Sequence, residues 1–402
     1  MKVLVINCGS SSLKYQLIDM DDERVLCKGN CERVGMPEGK ISHKANGREW
    51  DFNEDVPDHT AAFMRIVDLM TKGETAVVWD KSEIDAIGHR VAQGADRFTH
   101  SVLATEKVIQ TIEEIIPLAP VHNPAHVAGL RAAQKVFGEK VPQAVVFDTT
   151  FHQTMPPKAY MYALPYEYYE KYSVRKYGFH GTSHRYVSYK AAKELKRNLR
   201  DLRMVTCHLG NGASCAAVYG GKCMDTTMGM TPLSGLMMGT RCGDIDPSII
   251  AYLQEKTGAS PEEMDCILNK ESGFKGLSGI SSDNRDVLAA AANGNQRAQL
   301  VAEMFAYQIK KYIGSYAAAM NGLDVLVFTG GIGENAYEVR SRVCSGMSYF
   351  GIEIDEEANK CRGKNIDISA PGTRVKTLVI CTNEELMIAR DTKALVEGKE
   401  LP

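Results

Sequence analysis

Residues 3–18 read VLVINCGSSSLKYQLI, and residues 204–219 read MVTCHLGNGASCAAVY. Each is an apolar β-branched run, a tip of Gly, Ser or Asn, and a second strand-like run, so each predicts a β-hairpin. Such tips turn several backbone N–H groups toward one point, and convergent N–H groups hold an anion. One Gly-rich hairpin is ordinarily only a hairpin. Two of them about 200 residues apart, with a third Gly-rich turn over residues 330–335, predict a duplicated domain whose two anion-cradling turns face a common cleft.

Working outward, further apolar runs stand at 144–147, 325–328 and 377–381, each ending in a small or polar turn. Helical patterns fall between them at 121–137, 186–199 and 298–320, the last with Val301, Phe305, Ile309, Tyr312 and Tyr316 at three- and four-residue intervals. The alternation predicts an α/β fold with ligands at the carboxyl ends of strands, and the 298–320 helix as core. Residues 47–60 and 151–172 read as irregular, lid-like segments. A length of 402 residues suggests two or three domains. Hydrophobic residues at 44% and charged residues at 24% exclude wholesale disorder. A net charge of -3 gives no basic excess for nucleic acid or anionic membranes. No apolar run of 18 residues predicts a membrane span, and the N-terminal apolar run is too short for a signal peptide. The eleven cysteines form no CxxC pair, so free thiols in a reducing cytoplasm are expected.

The phosphate loop GxxxxGK[ST] does not occur. Residues 331–336, GIGENA, satisfy the dinucleotide-binding pattern GxGxxA after an apolar strand, with Glu353 and Asp355 about 20 residues on, which keeps a nicotinamide-dependent oxidoreductase open. That reading leaves both hairpins without work. His180 and His184, like His122 and His126, have the spacing of helical zinc ligands but lack the zincin glutamate, so hydrogen-bonded loop histidines, or donors aimed at an oxyanion and either neutral or cationic, fit better. Asp148 and Glu384 follow predicted strands; carboxylates there serve a site or merely cap a turn. Arg90 and Arg241 sit among glycines, where they are solvated surface groups unless they converge on a carboxylate and a phosphoryl group.

Taken together, VLVINCGSSSLKY, GHRV, APVHNP, FDTTFH, YGFHGTSH, HLGNGAS, MGTRCGDIDP, SSDNRD, FTGGIGEN and TNEE occur in one order along essentially the whole chain, and in this the sequence resembles the acetate kinases, members of the acetate and sugar kinase, Hsp70 and actin superfamily. The resemblance implies a duplicated α/β fold of two domains, 1–148 with 384–402 and 149–383, around a central cleft that closes on substrate. It implies a cytoplasmic homodimer, formed largely through the second domain, that transfers phosphoryl between ATP and acetate. Asn7 and Glu384 would hold Mg²⁺, with Mn²⁺ an alternative. Ser10, Ser12 and Lys14 would line the first phosphate turn, and His208, Leu209, Gly210, Asn211 and Gly212 the second. Asp283, Asn284 and Arg285 would bracket the adenosine opposite Gly331, Ile332, Gly333, Glu334 and Asn335. Arg90 and Arg241 would position the carboxylate and neutralise the phosphoryl group, His180 would donate to it, and Asp148 and His122 would complete the catalytic set. Ala92, Val121, Phe179 and Pro232 would wall the carboxylate pocket. Many relatives carry larger residues than Ala92 and Val121, and HGG where this chain has Gln93-Gly94-Ala95. Propionate is therefore expected to be tolerated, and a propionate kinase is the nearest alternative.

Overall fold

The computed structural model describes residues 1–401. Two compact units emerge: Met1–Thr150 with the segment from Asn383 onward, and Phe151–Thr382.

The first unit is built on a sheet of eight strands, β1 (Lys2–Gly9), β2 (Ser12–Asp19), β3 (Arg24–Glu32), β4 (Lys40–Ala45), β5 (Arg48–Asn53), β6 (Ala86–Val91), β7 (Val102–Leu103) and β8 (Gln143–Phe147), in the order β5-β4-β3-β2-β1-β6-β8-β7. The β1–β2 hairpin closes at Gly9 opposite Ser12, so Ser10 and Ser11 form its tip. Residues directly opposite one another share a face. Leu4 with Leu17, Ile6 with Tyr15 and Cys8 with Leu13 therefore face one core, completed by Phe63 and Ile66 of the helix His59–Thr71. Asn7 with Lys14 and Gly9 with Ser12 lie on the opposite face. The parallel pairing of β1 with β6, Val5 opposite Gly88, puts Gly88 and Arg90 on that second face too. The helix Glu384–Val396 covers it. Gly88 is required there, because a Cβ would collide with Thr392 Oγ1 and Ile388 of that helix. Helix Asn123–Phe137 covers the first face, with Gly129 against Cys8.

The segment 47–60 is not wholly irregular. Arg48–Asn53 forms edge strand β5, paired antiparallel with β4. The Asn46-Gly47 link has φ of 51° and 73°, the left-handed geometry of a tight hairpin turn. Charged residues at Arg48, Glu49 and Asp51 hide the strand from a hydrophobicity reading, although they suit an edge.

The second unit holds β9 (Arg203–Leu209), β10 (Ala213–Tyr219), β11 (Lys222–Thr226), β12 (Val325–Thr329), β13 (Ile366–Asp367) and β14 (Lys376–Val379), in the order β11-β10-β9-β12-β14-β13. Here too a hairpin is flanked by two parallel neighbours: β9 pairs parallel with β12, and β12 with β14. The order β3-β2-β1-β6-β8 is thus repeated as β11-β10-β9-β12-β14. Helix Gln296–Ala319 buries Val301, Phe305, Ile309, Ile313 and Tyr316, so the predicted 298–320 helix is core. The helix predicted over 186–199 runs instead from Gly181 to Glu194. Its first turn, GTSH, has no apolar residue to announce it. Residues 151–172 contain only short helical turns, among them Pro157–Tyr160 and Tyr166–Tyr172. All eleven cysteines are free, seven of them buried. Among the described residues no helix is long and apolar enough to cross a membrane.

Candidate active site

In the first unit the second sheet face collects charge at the carboxyl ends of its parallel strands. Arg90 ends β6 and Asp148 follows β8, and they meet in a bidentate pair, Nε to Oδ1 at 2.9 Å and Nη2 to Oδ2 at 2.6 Å. Asp148 is 2% exposed, while the arginine side chain keeps 27%. Asp148 raises the Arg90 guanidinium above its ordinary value, reinforced by Glu384 and Glu385. Glu384 opens the C-terminal helix, whose N-terminus is capped by Asn383 through the N–H of Leu386. Burial pushes the Glu384 carboxyl up to about 7; Arg90 pulls it down, and Asp148 and Glu385 push it up again.

A carboxylate desolvated among other carboxylates is relieved by a hard cation. Among the described residues no group of three or more His, Cys, Asp or Glu side chains forms a ready metal cage. One carboxylate and one amide oxygen fit Mg²⁺, which ordinarily takes its remaining ligands from phosphates and water. Asn7, whose side chain is an amide, lies on the same sheet face as Ser12, Lys14 and Arg90.

Ser10 is exposed at the hairpin tip and Lys14 is exposed behind it. Ala92 is buried in the turn after β6, which Asn123 holds by accepting from Gln93 N–H at 3.4 Å and donating to Gln93 O at 3.1 Å. Val121 is 69% exposed, and His122, also exposed, starts the helix Asn123–Phe137.

In the second unit the β9–β10 tip is Gly210-Asn211-Gly212, closed by Gly210 N–H to Gly212 O at 3.0 Å. His180 approaches it from the start of helix Gly181–Glu194, with the backbone in the left-handed region at φ 57°. Strain of this kind at a non-glycine residue is a mark of functional sites. The preceding Gly178, at φ +76°, has no room for a side chain against Thr226 and the His152 ring. His152 in turn donates its Nε2–H to the Phe179 carbonyl at 2.8 Å, so the chain leading into His180 is tied down. The His180 ring stacks on that of His208, 4.3 Å between centroids. Arg241 donates to the Pro232 carbonyl at 2.7 Å, and burial lowers its guanidinium from its ordinary value. A Cβ on Gly212 would lie 3.4 Å from both Arg241 Nη2 and His180 Nε2, so guanidinium and imidazole meet over the tip.

From the tip a cavity of about 1250 Å³ runs between Gly210 and Asn211, residues 283–285, and Gly331, Ile332 and Asn335. Besides the three of the first unit's hairpin, five of the sixteen phosphate- and nucleotide-binding candidates do not line it, namely His208, Leu209, Gly212, Gly333 and Glu334, while Arg285 lines it paired with Asp283 at 2.6 Å. Leu209 is fully buried. Glu334 turns inward and accepts from Gly330 N–H at 2.9 Å and Thr382 N–H at 3.0 Å. Gly333 O accepts from Arg340 Nη1 at 2.8 Å. Arg340 is fully buried and also donates to the carbonyls of Asn359 and Cys361, so it fastens the glycine turn to the chain leading to Arg362, which also lines the cavity.

Sequence reasoning missed Arg340, Arg362 and Ser282, which support or line the cavity, and the hydroxyl partners of the histidines, Ser183, Ser214 and Thr206. Polar residues embedded in an otherwise apolar strand were the available signal for the last two.

A repeated strand order that twice offers a glycine- or serine-tipped hairpin, once with a cavity and a guanidinium beside it, defines a class: the phosphotransferases of duplicated α/β fold. The chain belongs to the acetokinase family, whose model matches residues 2–390. It is 55% identical over 400 residues to an acetate kinase from Thermotoga petrophila, spanning 99% of each chain. The crystal structure of Porphyromonas gingivalis acetate kinase matches with a TM-score of 0.95 and 47% identity, over 98% of this chain and 99% of that one. A propionate kinase from Francisella tularensis matches with a TM-score of 0.91 and 42% identity, over 98% and 99%. The fold is that of the acetate kinases, and the nicotinamide-dependent oxidoreductase alternative falls with the family assignment.

Proposed function

We propose that the protein catalyses reversible transfer of a phosphoryl group between ATP and acetate, giving acetyl phosphate and ADP, by direct in-line displacement. The observation that carries this reading is the cavity that begins at the Gly210–Asn211 tip, where Arg241 and His180 meet, and extends to the glycine turn at Gly331. It has room for a nucleotide whose phosphates end at the tip.

A carboxylate is already an anion, so proton removal contributes little. The obstacle is bringing it against a negative phosphate, a repulsion of about 4 kcal/mol per pair of charges at 4 Å near a protein surface. Charge neutralisation and placement therefore dominate. The first unit supplies Arg90 for the carboxylate, held in orientation by Asp148, with Ser10, Ser12 and Lys14 at its phosphate turn. The second supplies Arg241 to neutralise the phosphoryl group, His180 to donate to it, and residues 208–212, 283–285 and 331–335 for ATP. His122 assists from the helix start. A carboxylate oxygen forms the new O–P bond as the bond from the γ-phosphorus to the β–γ bridging oxygen breaks, and that electron pair leaves with ADP. Asn7 and Glu384 would hold Mg²⁺, or Mn²⁺, which when bound screens the phosphate charge. Asp148 orients Arg90 and does not attack.

Ala92, Val121, Phe179 and Pro232 are assigned to the acetate pocket, and the small Ala92 supports tolerance of propionate. The division of labour follows two domains, 1–148 with 384–402 and 149–383. A homodimer through the second is supported by exposed apolar side chains there, including Tyr166, Tyr172 and Tyr252. Eleven free cysteines support a cytoplasmic location.

The test is acetyl phosphate formed from ATP and acetate and trapped with hydroxylamine. Product from the parent and a severe loss in Arg241→Ala are expected; robust product from both removes the arginine role. Transfer from a chiral γ-phosphate is expected to invert configuration at phosphorus, and retention would overturn direct displacement.

A further inference from the structure

Three hydrogen bonds join four side chains of the second unit end to end. Thr206 Oγ1 lies 2.7 Å from His184 Nδ1, His184 Nε2 lies 2.9 Å from Ser214 Oγ, and Ser214 Oγ lies 2.9 Å from His180 Nδ1. Thr206, His184 and Ser214 are fully buried. A hydroxyl has one proton and two acceptor sites and a neutral imidazole has one N–H, so with the Ser214 proton kept within the run there are two self-consistent directions. In one, donors point away from the tip, and His180 carries its proton on Nδ1. In the other, Thr206 O–H donates to His184 Nδ1, His184 Nε2–H to Ser214 Oγ, and Ser214 O–H to His180 Nδ1. His180 is then left with its N–H on Nε2, the atom that reaches the hairpin tip.

The surroundings favour the second direction and an uncharged ring. An anion held at the tip takes a donor there and repels a bare ring nitrogen. The groups facing the His180 imidazole are cationic or basic: the Arg241 guanidinium over the tip, His208 stacked at 4.3 Å, and His184 through Ser214, with the His152 ring 5.8 Å beyond His184. A positive imidazole beside the Arg241 guanidinium is disfavoured. Burial also holds His184 well below the ordinary imidazole range, keeping it a neutral link. His208 is anchored in the same manner, its Nδ1 2.8 Å from Ser183 Oγ, which lies 2.8 Å from Thr382 Oγ1.

We propose that Ser214, His184 and Thr206 are positioning residues that hold His180 as the uncharged Nε2–H tautomer, so that it donates to the transferring phosphoryl group without bearing charge. This rests on the assignment of His180 as the phosphoryl donor. Neutralisation is thereby left to the arginines, and the donor works unchanged across the pH range in which a free imidazole titrates.

The test is a long-range ¹H–¹⁵N correlation spectrum of the full-length enzyme labelled at histidine, with the His180 signal assigned by its loss in His180→Gln. The expected result at neutral pH is a single Nε2–H tautomer. Ser214→Ala should mix the two tautomers and lower kcat by about tenfold, less than removal of the donor itself. Should Ser214→Ala not fold, Thr206→Val serves, because it removes the donor to His184 Nδ1 and brings up the Nδ1–H signal of His180. A doubly protonated His180, an Nδ1–H tautomer in the parent, or a tautomer indifferent to both substitutions overturns the proposal. Wild-type kcat in His180→Gln overturns the phosphoryl role on which it rests, and the spectrum reads the tautomer independently of that activity.

Discussion

Replacing Asp148 by Asn separates an orienting carboxylate from a reacting one. Asp148 accepts two bonds from Arg90, at 2.9 and 2.6 Å. An amide keeps one oxygen but turns its NH₂ group toward a guanidinium that can only donate. Breaking a buried ion pair by removing one partner costs about 3–5 kcal/mol. The Arg90 side chain retains 27% exposure and recovers part of its solvation, so about 2–3 kcal/mol is the appropriate range. If that loss falls on the placement of Arg90 in the transition state, kcat/KM for acetate drops about 100-fold. In an Arg90→Ala background the same substitution has no guanidinium left to misplace. A double-mutant cycle on kcat/KM, with urea unfolding of each variant, is therefore expected to give a coupling energy of about 2 kcal/mol or more. Additive effects, with a coupling below about 0.5 kcal/mol, would mean that Asp148 acts on substrate by itself, and the orienting role would be refuted.

Three further outcomes follow from the geometry. The Glu384 carboxyl, raised from 4.5 to about 7, keeps a proton in the folded state that the unfolded chain has released, so stability falls as pH rises through that window. At about 1.36 kcal/mol per tenfold in acidity the penalty above it is about 3 kcal/mol. Glu384→Gln in chelator should thus be more stable than the parent at pH 8, by urea denaturation, with the two converging toward pH 5; Mg²⁺ should stabilise the parent alone. Gly88→Val should drive the C-terminal helix off β6 and destabilise the first unit by about 3 kcal/mol, read as a lower urea midpoint with the unfolding of the second unit unchanged. Ala92→Val should lower kcat/KM for propionate relative to acetate by about 10-fold, within the range a methylene or two can discriminate; an unchanged ratio would take Ala92 out of the pocket wall.

Much of the fold was legible because both hairpins announce themselves locally. Apolar runs around Gly9 and around Gly210–Gly212 leave few alternatives to a tight turn, and the core helix of the second unit follows from the spacing of Val301, Phe305 and Ile309. Strand β5 was not legible, since an edge strand faces solvent and carries charge instead of alternating apolar residues. The start of the helix at Gly181 was hidden for another reason: its first turn is polar because it carries His180 and His184 toward their partners. Candidate residues whose roles depend on their own side chains, such as Arg90, Asp148 and Arg241, could be picked out by motif. Arg340 could not, because its work is done by hydrogen bonds to carbonyls about 20 residues away, at Asn359 and Cys361, and no pattern in the sequence records which carbonyls a guanidinium will find.

The helix Glu384–Val396 lies against β6, in the space left by Gly88, although about 300 residues of chain separate them. Synthesis proceeds from the N-terminus, so the last layer of the first unit leaves the ribosome only after the whole second unit has been made. The second unit, contiguous from Phe151 to Thr382, has all its parts in hand before that moment. The N-terminal strands, made first, must wait with the face that this C-terminal helix covers left open and are the stretch most in need of a chaperone. The unit begun first is thus the one completed last, and this makes the helix Glu384–Val396 a checkpoint: a chain cut short before Glu384 presents an unfinished sheet to the cell's quality control, however sound the rest of it is.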